Sequence, residues 1–537
     1  MYDCIIIGAG HNGLICSNYL ARRGWKVLVI EKRHLVGGAC VTEEIAPGYR
    51  ASVASYVVSL LLPEIVEELE LEKHGYKTLP RIPSSFTPFD DGRYLFLGPD
   101  PSTNQDEIRK FSESDAKAFG EYEALLTRVA EHIEPVLNKR SADLLPLPAS
   151  WRRIPLAKRL ADLRSGYALH RTLKSIGDDL PETIELLTGN AKIILDRYFE
   201  SDELKGTLAT DAIIGTFQPY SAPGSSYVLL HHVMGAAGGA RGVWAYVEGG
   251  MGALSEAIAS SAREKGVDIR LDSAIEEILV SKGRITGVRL TGGEEIRART
   301  VGSCVDAHLT FEKLMDPEHL PLSFRRAVKR IDYSSATLKI NLAVSELPDF
   351  TCLPGKDEVG PQHRGTIHIG ATPEYLERAY DDAKYGRPSS RPIVEMTIPT
   401  SVDKTLAPDG HHILSLFVQY APYDLAEGTW EDIKEEFADR CIAEVARYAP
   451  NVPDSILHRQ ILTPVDLERV FGLTGGNIFQ GSMSLGQLGP MRPVPGWSDH
   501  RTPIQGLYIC GSASHPGGGV MGACGKNAAT EMLKDGR

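Results

Sequence analysis

Cysteine pairs and zinc-ligand spacings are missing from this 537-residue sequence, although it contains 8 cysteines. None of them stands in a C-x-x-C pair or at the spacing of a zinc site, which argues against a structural metal and a redox-active dithiol. We therefore expect free thiols in a reducing compartment, and the sequence predicts a cytoplasmic protein. No secretory leader is expected, because the first residues already have the pattern of a buried strand.

Long apolar runs and basic stretches are missing as well. No segment approaches the roughly 20 apolar residues of a membrane-spanning helix, and the longest candidate, SYVVSLLLPEIVEELEL from Ser55, is broken by Pro63 and by acidic residues. We interpret it as a loop and helix lining the core, with peripheral contact to a membrane surface left open. The net charge of −12 includes no basic face, which disfavours nucleic-acid binding.

The stretch IIIGAGHNGL, which starts at Ile5, is rich in what a nucleotide needs. Its branched aliphatic residues predict a buried parallel strand, and Gly8, Gly10 and Gly13 follow at G-x-G-x-x-G spacing before a segment of helical period. Gly8 permits the tight turn, Gly10 lets a pyrophosphate approach the backbone, and Gly13 lets the helix lie close on the strand. The amides at the helix N-terminus then face the phosphate.

A second predicted strand, KVLVIEK, ends in Glu31, 18 residues after Gly13. A carboxylate there accepts hydrogen bonds from a ribose diol, so strand, triplet, helix, strand and acid together predict an adenine dinucleotide. The following Gly37 and Gly38, with Thr42 beyond them, resemble the extended fingerprint of the FAD-binding superfamily of glutathione-reductase-like and amine-oxidase-like flavoproteins. That resemblance implies FAD, with the glycine pair bringing the chain back over the pyrophosphate and ribityl region.

Two later glycine-rich segments agree with this interpretation. Gly249, Gly250 and Gly252 precede an amphipathic helix, which is followed by a predicted strand near 268–271 and a hairpin. Near the end, a predicted strand at 507–510 leads into a glycine-rich loop and a closing helix. The N-terminus of such a helix could place amides at the flavin and stabilise its anionic reduced form.

The motifs GAGHNGL, GGACVTEEIAPGY, GGMGAL, MRPVPGW and HPGGGVMGACG occur in one order along the chain. With them, the chain resembles the phytoene-dehydrogenase-type FAD oxidoreductases nearly from end to end. Two departures matter. Ser512 follows Gly511 where many flavoproteins of the superfamily have aspartate, which puts the usual ribityl contact in doubt, and Cys40 has no partner at C-x4-C spacing for a disulphide-reductase site.

The fingerprint and the resemblance together imply a non-covalent FAD and predict its contacts. The predicted cofactor-binding residues are Gly8, Gly10, His11, Asn12, Gly13, Glu31, Lys32, Gly37, Gly38, Ala39, Gly249, Gly250, Met251, Gly511, Ser512, Gly519, Val520 and Met521. No second strand-glycine-helix nucleotide site is evident. Electrons are therefore expected to leave the flavin for dioxygen, a quinone or another diffusible acceptor.

The predicted fold is α/β, with a Rossmann-like FAD-binding domain of the glutathione-reductase and amine-oxidase type interleaved with an α+β substrate domain. The FAD-binding elements fall at the start, middle and end, so residues 1–75, 241–330 and 500–537 are assigned to the first domain. Residues 76–240, with a helical insertion, and 331–499 are assigned to the substrate-binding domain.

Two patterns describe the predicted substrate domain. In SDAKAFGEYEALLTRVAEHIEPVLNK, apolar residues recur at 3/4 spacing and predict a helix with one buried stripe. The segment LLPLPASWRRIPL then has the composition of a linker. In ATLKINLAV, Leu338 and Ile340 alternate with Lys339 and Asn341, which predicts a half-buried antiparallel strand with one polar face.

Candidate catalytic side chains are few, since the flavin itself supplies the difficult chemistry. Lys339 is the first candidate, because its setting resembles the strand where amine-oxidase relatives keep a lysine beside flavin N5; a solvated lysine is the alternative. His231 is a candidate for substrate contact, with a satisfied core histidine as the alternative for it and for its neighbour His232. His515 is a candidate acid/base or a brace of the flavin loop. No Ser-His-Asp order, carboxylate pair or metal cluster is evident, so no metal is predicted.

Three functions remain open. The resemblance favours an FAD-dependent oxidoreductase that dehydrogenates or desaturates a lipophilic, polyene- or isoprenoid-like small molecule by hydride transfer to flavin N5. An amine-oxidase-like enzyme is the second, and it would need a pair of aromatic residues around the amine. A flavin-stabilised interaction protein with little turnover is the third. Homo-oligomerisation is left open.

Overall fold

The computed structural model describes residues 1–143, 156–236 and 241–536. The predicted linker falls almost entirely outside these residues. The strands are β1 Tyr2–Ile7, β2 Val27–Ile30, β3 Thr42–Ala46, β4 Tyr49–Ser52, β5 Thr78–Pro80, β6 Ser85–Pro88, β7 Tyr94–Leu97, β8 Ala245–Val247, β9 Asp268–Arg270, β10 Ile275–Ser281, β11 Arg284–Leu290, β12 Glu295–Ser303, β13 Thr337–Val344, β14 Thr366–Ile369, β15 Ile393–Thr397, β16 His412–Gln419, β17 Ile456–Leu462 and β18 Leu507–Ile509.

The α-helices alternate with these strands or cluster in the insertion. They are α1 His11–Ala21, α2 Pro63–Glu68, α3 Pro101–Arg109, α4 Glu113–Leu137, α5 Leu156–Ile176, α6 Leu180–Thr188, α7 Ala191–Tyr198, α8 Asp202–Ala209, α9 Ser225–Val233, α10 Met251–Glu264, α11 Leu322–Val328, α12 Pro373–Ala383, α13 Trp430–Ala446, α14 Val452–Ser455, α15 Pro464–Phe471 and α16 Ala523–Asp535.

The first large sheet has the order β10-β11-β12-β1-β2-β9, with β18 also paired to β12. β1 lies parallel to both β12 and β2, and its interior residues are buried on both faces, as expected for a parallel strand covered on each side. Ile6 packs with α1 and α10, whereas Ile5 packs with the β10–β12 layer. This confirms the predicted Rossmann-like α/β fold.

The second large sheet has the order β17-β13-β16-β15-β14-β6-β7. All strands of the first sheet come from the segments predicted for the FAD domain, and all strands of the second come from the segments predicted for the substrate domain. The small β5–β8 sheet joins the two sets of segments. The domain boundaries themselves stay a prediction.

The alternation predicted for β13 is confirmed, but its half-buried character is wrong. Leu338 and Ile340 enter an apolar core with α13, and Lys339 and Asn341 point to the opposite face. All eight residues of β13 are nevertheless buried. The polar face is covered by the FAD-binding segments, where the Asn341 amide donates to the Val53 carbonyl over 3.3 Å.

The helical insertion covers the substrate sheet. α4 begins after Ser112, whose hydroxyl accepts from the Asp115 amide over 3.1 Å. The predicted stripe is buried along most of its length. The apolar segment from Ser55 forms a loop and then α2, whose Ile65 is buried in the core, as predicted. Within the described residues, no helix is both long enough and apolar enough to cross a bilayer.

Candidate active site

A cavity of about 450 Å³ lies at the carboxyl ends of β1, β2, β12 and β18 and continues beneath the helical insertion. Ligands of open α/β sheets bind in this position, just beyond the strand ends. Twelve of the predicted site residues line it: Gly8, Gly10, His11, Asn12, Glu31, Gly37, Gly38, Ala39, Lys339, Ser512, Gly519 and Val520.

The first glycine turn has the backbone that its sequence predicts. Gly8 has φ +89°, in the left-handed region that favours glycine. A Cβ on Gly13 would stand 2.4 Å from the Gly8 carbonyl oxygen, so the residue must be glycine for α1 to lie this close to β1. α1 follows Gly10 with no side-chain cap, which leaves its first-turn amides available at the cavity wall.

The second glycine pair and Glu31 hold that turn in place. The Gly37 amide donates to the Ala9 carbonyl over 2.8 Å, and a Cβ on Gly38 would stand 3.2 Å from the Gly10 Cα. The Glu31 carboxylate accepts from the amides of Ala9 (2.8 Å) and Arg33 (3.0 Å). Since Glu31 also lines the cavity, it has lone pairs left for a ribose.

The C-terminal loop closes the cavity from the other side. The Asn12 amide group donates to the Ser512 hydroxyl over 3.3 Å, which joins the first turn to this loop. Val520 has φ +58°, an unusual backbone for a β-branched residue and one that clusters at functional sites. Nε2 of His11 is buried without a hydrogen-bond partner beside the glycine turn. The uncapped amides and this orphaned nitrogen fit a dinucleotide.

Several predicted cofactor residues lie outside the cavity wall and support it instead. The Gly249 amide donates to Asp403 over 2.7 Å, and the Met251 amide donates to Ser52 over 2.9 Å. A Cβ on Gly511 would meet the Cys304 carbonyl at 2.3 Å. The other members of this group are Gly13, Lys32, Gly250 and Met521.

Lys339 is 2% exposed and lines the cavity, so the alternative of a solvated lysine is wrong. Its Nζ donates to Asn341 Oδ1 over 2.7 Å and to the Ser415 hydroxyl. It stands 5.2 Å from the centroid of the Tyr56 ring. Burial lowers the pKa of Lys339 to about 7, with Glu395 opposing the shift.

The structure does not bring His231 or His515 to the cavity wall. Burial lowers the pKa of each to about 3, so both are neutral at physiological pH. His515 lies near the end of α4, whose Leu137 carbonyl contributes to its surroundings. The position of His231 gives no support to substrate contact, and the position of His515 gives none to an acid/base role; a brace of the flavin loop stays a prediction for His515. His232 does line the cavity, with its Nδ1 2.8 Å from the Val228 carbonyl.

Sequence reasoning missed a polar row across the substrate sheet. In the sheet register, Lys339 of β13 lies opposite Phe417 of β16, Phe417 lies opposite Glu395 of β15, and Glu395 lies opposite His368 of β14. Four neighbouring strands therefore present one side chain each to the cavity on the same face of the sheet. Burial raises the pKa of Glu395 to about 7, and the Tyr56 hydroxyl donates to its carboxylate over 2.8 Å. A charged residue inside the apolar run IVEMT was the available signal.

Arg492 was also missed, although it lies in the quoted motif MRPVPGW. Its guanidinium is fully buried, and burial lowers its pKa. It pairs with backbone carbonyls in place of a carboxylate: those of Phe479, Gly481, Ser482, Gln487 and Ser512. Arg492 thus fastens the 479–487 loops to the cavity-lining loop at Ser512.

Gly13→Ala is expected to lower the free energy of unfolding by about 1–3 kcal/mol, the usual cost of overpacking. The new methyl group would meet the Gly8 carbonyl and push α1 away from β1. Chemical denaturation measures the loss of stability, and flavin titration measures how far the displaced helix weakens flavin binding. Gly120→Ala is the matched control, since this α4 glycine has nothing within 4 Å of its Cβ position. Equal melting behaviour of the two variants would contradict the packing argument.

The first sheet has the topology of a dinucleotide-binding sheet, and Gly8, Gly10, Gly13, Gly37 and Gly38 form a glycine cradle beside it. Together with the adjoining substrate sheet, these features define a flavin-dependent oxidoreductase. The family model for flavin containing amine oxidoreductases matches residues 13–533, and the chain belongs to this family. It is 48% identical to pyridine nucleotide-disulfide oxidoreductase domain-containing protein 2 of Rattus norvegicus, over 99% of this chain and 94% of the relative. The Myxococcus xanthus zeta-carotene-forming phytoene desaturase is 25% identical, over 96% and 90%.

Among solved structures, wild-type putrescine oxidase bound to putrescine is similar with a TM-score of 0.59. The sequences are 17% identical, and the match covers 99% of this chain and 98% of that one. At this identity the likeness concerns the fold alone. The family membership confirms a flavin cofactor and an oxidoreductase, and a phytoene-dehydrogenase-like specificity stays a prediction.

Proposed function

We propose that the protein binds FAD non-covalently and dehydrogenates a largely apolar small molecule. One observation carries the proposal: the cavity that contains the glycine cradle continues without a break into a chamber beneath the insertion. Apolar side chains line much of that chamber: Leu97, Phe119, Leu126, Leu208, Ile214, Leu229, Val233 and Val243. FAD bound here would supply a hydride acceptor beside a C–H bond, and the proton lost in the same oxidation can be taken up by the Lys339 amine, which lines the same cavity.

The chain's own residues would hold and orient the two partners. The uncapped first turn of α1 would face the pyrophosphate of a bound FAD, and Glu31 would face its ribose. The apolar chamber excludes water from the reacting C–H bond. Lys339 is fixed by Asn341 and Ser415, and its neutral amine can accept a hydrogen bond at the cofactor end of the polar row.

The amine-oxidase alternative needs two aromatic rings with space between them for an amine. Tyr56 and Phe417 both line the cavity near Lys339, so the structure contains an aromatic pair that the sequence did not reveal. Their ring centroids are only 5.9 Å apart and the planes are inclined by 39°. A cation in a favourable contact lies up to about 6 Å from the centroid of each ring that binds it. Two rings with centroids only 5.9 Å apart are therefore too close to hold an ammonium group between them.

Anaerobic reduction separates the open functions. We expect the flavin to be bleached stoichiometrically by an apolar substrate in a panel of alkenes, terpenoids and polyenes, and to recover when a quinone or dioxygen is added. Primary amines in the same panel should leave it oxidised. Product formed only after dithionite pre-reduction, with unchanged mass, would identify an isomerase. No bleaching and no product with any compound would favour the interaction protein.

NADH and NADPH are expected to reduce the flavin poorly, since no second dinucleotide fingerprint occurs in the sequence. Stopped-flow absorbance under nitrogen measures this directly, with dithionite as the positive control. Rapid bleaching by either nucleotide at micromolar concentration would reveal a missed site.

Cytoplasmic location, peripheral membrane contact and homo-oligomerisation stay predictions.

Glu31→Ala is expected to weaken FAD binding by about 1–3 kcal/mol, because charge-assisted hydrogen bonds to the ribose would be lost. The same change frees the Ala9 amide and loosens the glycine turn. Fluorescence titration of the apoprotein gives the affinity, and acid treatment should release FAD and no FMN. Glu43→Ala is the control, since Glu43 pairs with Arg33 outside the cavity wall. Full retention by Glu31→Ala would contradict the assigned role.

A further inference from the structure

The chamber beneath the insertion contains a group of charged residues that hydride transfer to a hydrocarbon would not require. Arg81, Asp211, Glu395 and His368 line it together with apolar side chains. They come from distant elements: Arg81 follows β5, Asp211 follows α8, and the other two lie in the polar row of β15 and β14. We call these four residues the chamber polar set.

The chamber polar set has hydrogen-bonding capacity that the described residues do not use. Arg81 is 2% exposed; its Nε donates to the Trp244 carbonyl (3.1 Å) and its Nη1 to the Thr366 hydroxyl (2.7 Å), and it has no carboxylate within ion-pair distance among the described residues. The Asp211 carboxyl likewise makes no hydrogen bond or ion pair among them.

Unpartnered polar atoms of other wall residues add to this capacity. Tyr122 is 2% exposed, and its hydroxyl and the Nδ1 atom of His368 are buried without a hydrogen-bond partner among the described residues; both residues line the chamber. Buried polar groups in folded proteins are nearly always hydrogen-bonded. A ligand that brings polar atoms of its own would give these groups hydrogen-bond partners.

The charge balance of the chamber selects the kind of polar group. Burial raises the pKa of Asp211 and of Glu395 to about 7 in each case, while burial lowers the pKa of Lys339 to about 7 and that of His368 to about 3. Arg81 is permanently charged and opposes a ligand ammonium, whereas the carboxyl groups of Asp211 and Glu395 oppose a ligand carboxylate. A neutral oxygen-bearing group meets neither repulsion and can pair with donors and acceptors alike.

We propose that Arg81, Asp211 and Glu395 bind a neutral oxygen-bearing group, a hydroxyl or a carbonyl, on an otherwise apolar substrate. Arg81 donates to its oxygen, and the carboxyl pair can both donate to it and accept from it. The apolar remainder lies among the side chains of the insertion, toward Phe119 and Leu126. This inference rests on the proposed function, because it takes the chamber as the substrate site, and it replaces a pure hydrocarbon by an oxygenated lipophile.

Matched probes of one chain length test the proposal: decane, decanol, decanal, decylamine and decanoate, titrated into the holoprotein. Perturbation of the flavin absorbance reports binding, and thermal shift reports it independently. We expect decanol and decanal to bind at least about tenfold more tightly than decane, the effect of one or two added hydrogen bonds. Decylamine and decanoate should bind no better than decane.

Asp211→Leu and Glu395→Leu should abolish the preference for decanol while keeping the binding of decane, which shows that the chamber is still folded. Glu123→Leu is the matched control, since Glu123 lines the same cavity, has its pKa raised by burial, and lies outside the chamber polar set. The control should keep the preference.

The inference would be overturned if decane and decanol bound equally, or if decylamine or decanoate bound more tightly than decane. It would also be overturned if both leucine variants kept the preference for decanol over decane. Bleaching by a hydrocarbon without any preference for decanol would leave the proposed function intact. A clear preference for decanol, with no compound of the wider panel bleaching the flavin, would support the oxygen-binding inference and contradict the proposed dehydrogenase function.

Discussion

Replacing Arg492 with Met is expected to lower the free energy of unfolding by about 3–5 kcal/mol and to release most of the flavin. The guanidinium donates to backbone carbonyls of Phe479, Gly481 and Ser512 in a fully buried setting. Without it, several of these carbonyls lose their partner, and each unsatisfied group costs about 1–3 kcal/mol. Urea denaturation measures the stability, and absorbance after gel filtration measures the retained flavin.

Two further variants show whether the stability comes from the carbonyl groups around the Arg492 guanidinium or would be lost on replacing any arginine. Arg492→Lys should recover part of the loss, since an ammonium reaches fewer of the carbonyls than a planar guanidinium. Arg469→Met should leave the denaturation midpoint nearly unchanged, because Arg469 is largely exposed and, within the part of the chain that the structure describes, its one ion pair is with Asp466. An Arg492→Met protein as stable as Arg469→Met, with its flavin in place, would show that the loops are held by something else.

Replacing Lys339 with Met is expected to change how stability depends on pH. Burial lowers the pKa of Lys339 from 10.5 to about 7, so between these values the unfolded chain binds a proton that the folded chain does not. Stability of the native protein should therefore rise with pH in this window, by up to about 5 kcal/mol in total. The Met variant lacks that rise.

The sign gives the variant a crossing point. Below pH 7 the native protein holds a charged amine in a buried site, so Lys339→Met should be the more stable form. Near pH 10 the amine is neutral in the folded protein, and the variant has only lost hydrogen bonds to Asn341 and Ser415, at about 1 kcal/mol each. Urea denaturation at several pH values, with holoprotein, measures both limits.

Glu395 faces Lys339 and Asp211 faces Glu395, and the titration of both carboxyl groups must be separated from that of the lysine. Glu395 and Asp211, with their pKa values raised to about 7 by burial, favour the folded state at low pH and lose that contribution as pH rises from 4 to 7. Their window lies below that of the lysine. Lys205→Met is the control, since ion pairs with Asp196 and Asp202 raise the pKa of Lys205. Parallel pH curves for native protein and Lys339→Met would contradict the assignment.

The cradle could be predicted from the sequence because its requirements are local. Gly8, Gly13 and Gly37 occupy positions where a side chain would collide or the backbone has positive φ, so the chemistry of glycine itself carries the information. The same holds for the alternation of β13. The burial of Lys339 was not predictable, because a strand pattern cannot show that a second set of segments covers its polar face.

The polar row and the chamber polar set were beyond the sequence for a related reason. Lys339, Phe417, Glu395 and His368 become neighbours only through the register of β13, β16, β15 and β14, whose order in the sheet differs from their order in the chain. Arg492 shows the same limit: its partners are carbonyls of loops, and a carbonyl leaves no trace in the residue type.

The interleaved topology has a consequence for synthesis. β1 is synthesised well before its partner β12 at Glu295–Ser303, and β18 at Leu507–Ile509 and α16 at Ala523–Asp535 follow later still. Loop-closure entropy must be met over nearly the full length before these contacts form. During synthesis β1 can pair early with β2, but its other edge stays unpaired until β12 has emerged, and the cradle that captures the flavin is complete only after α16.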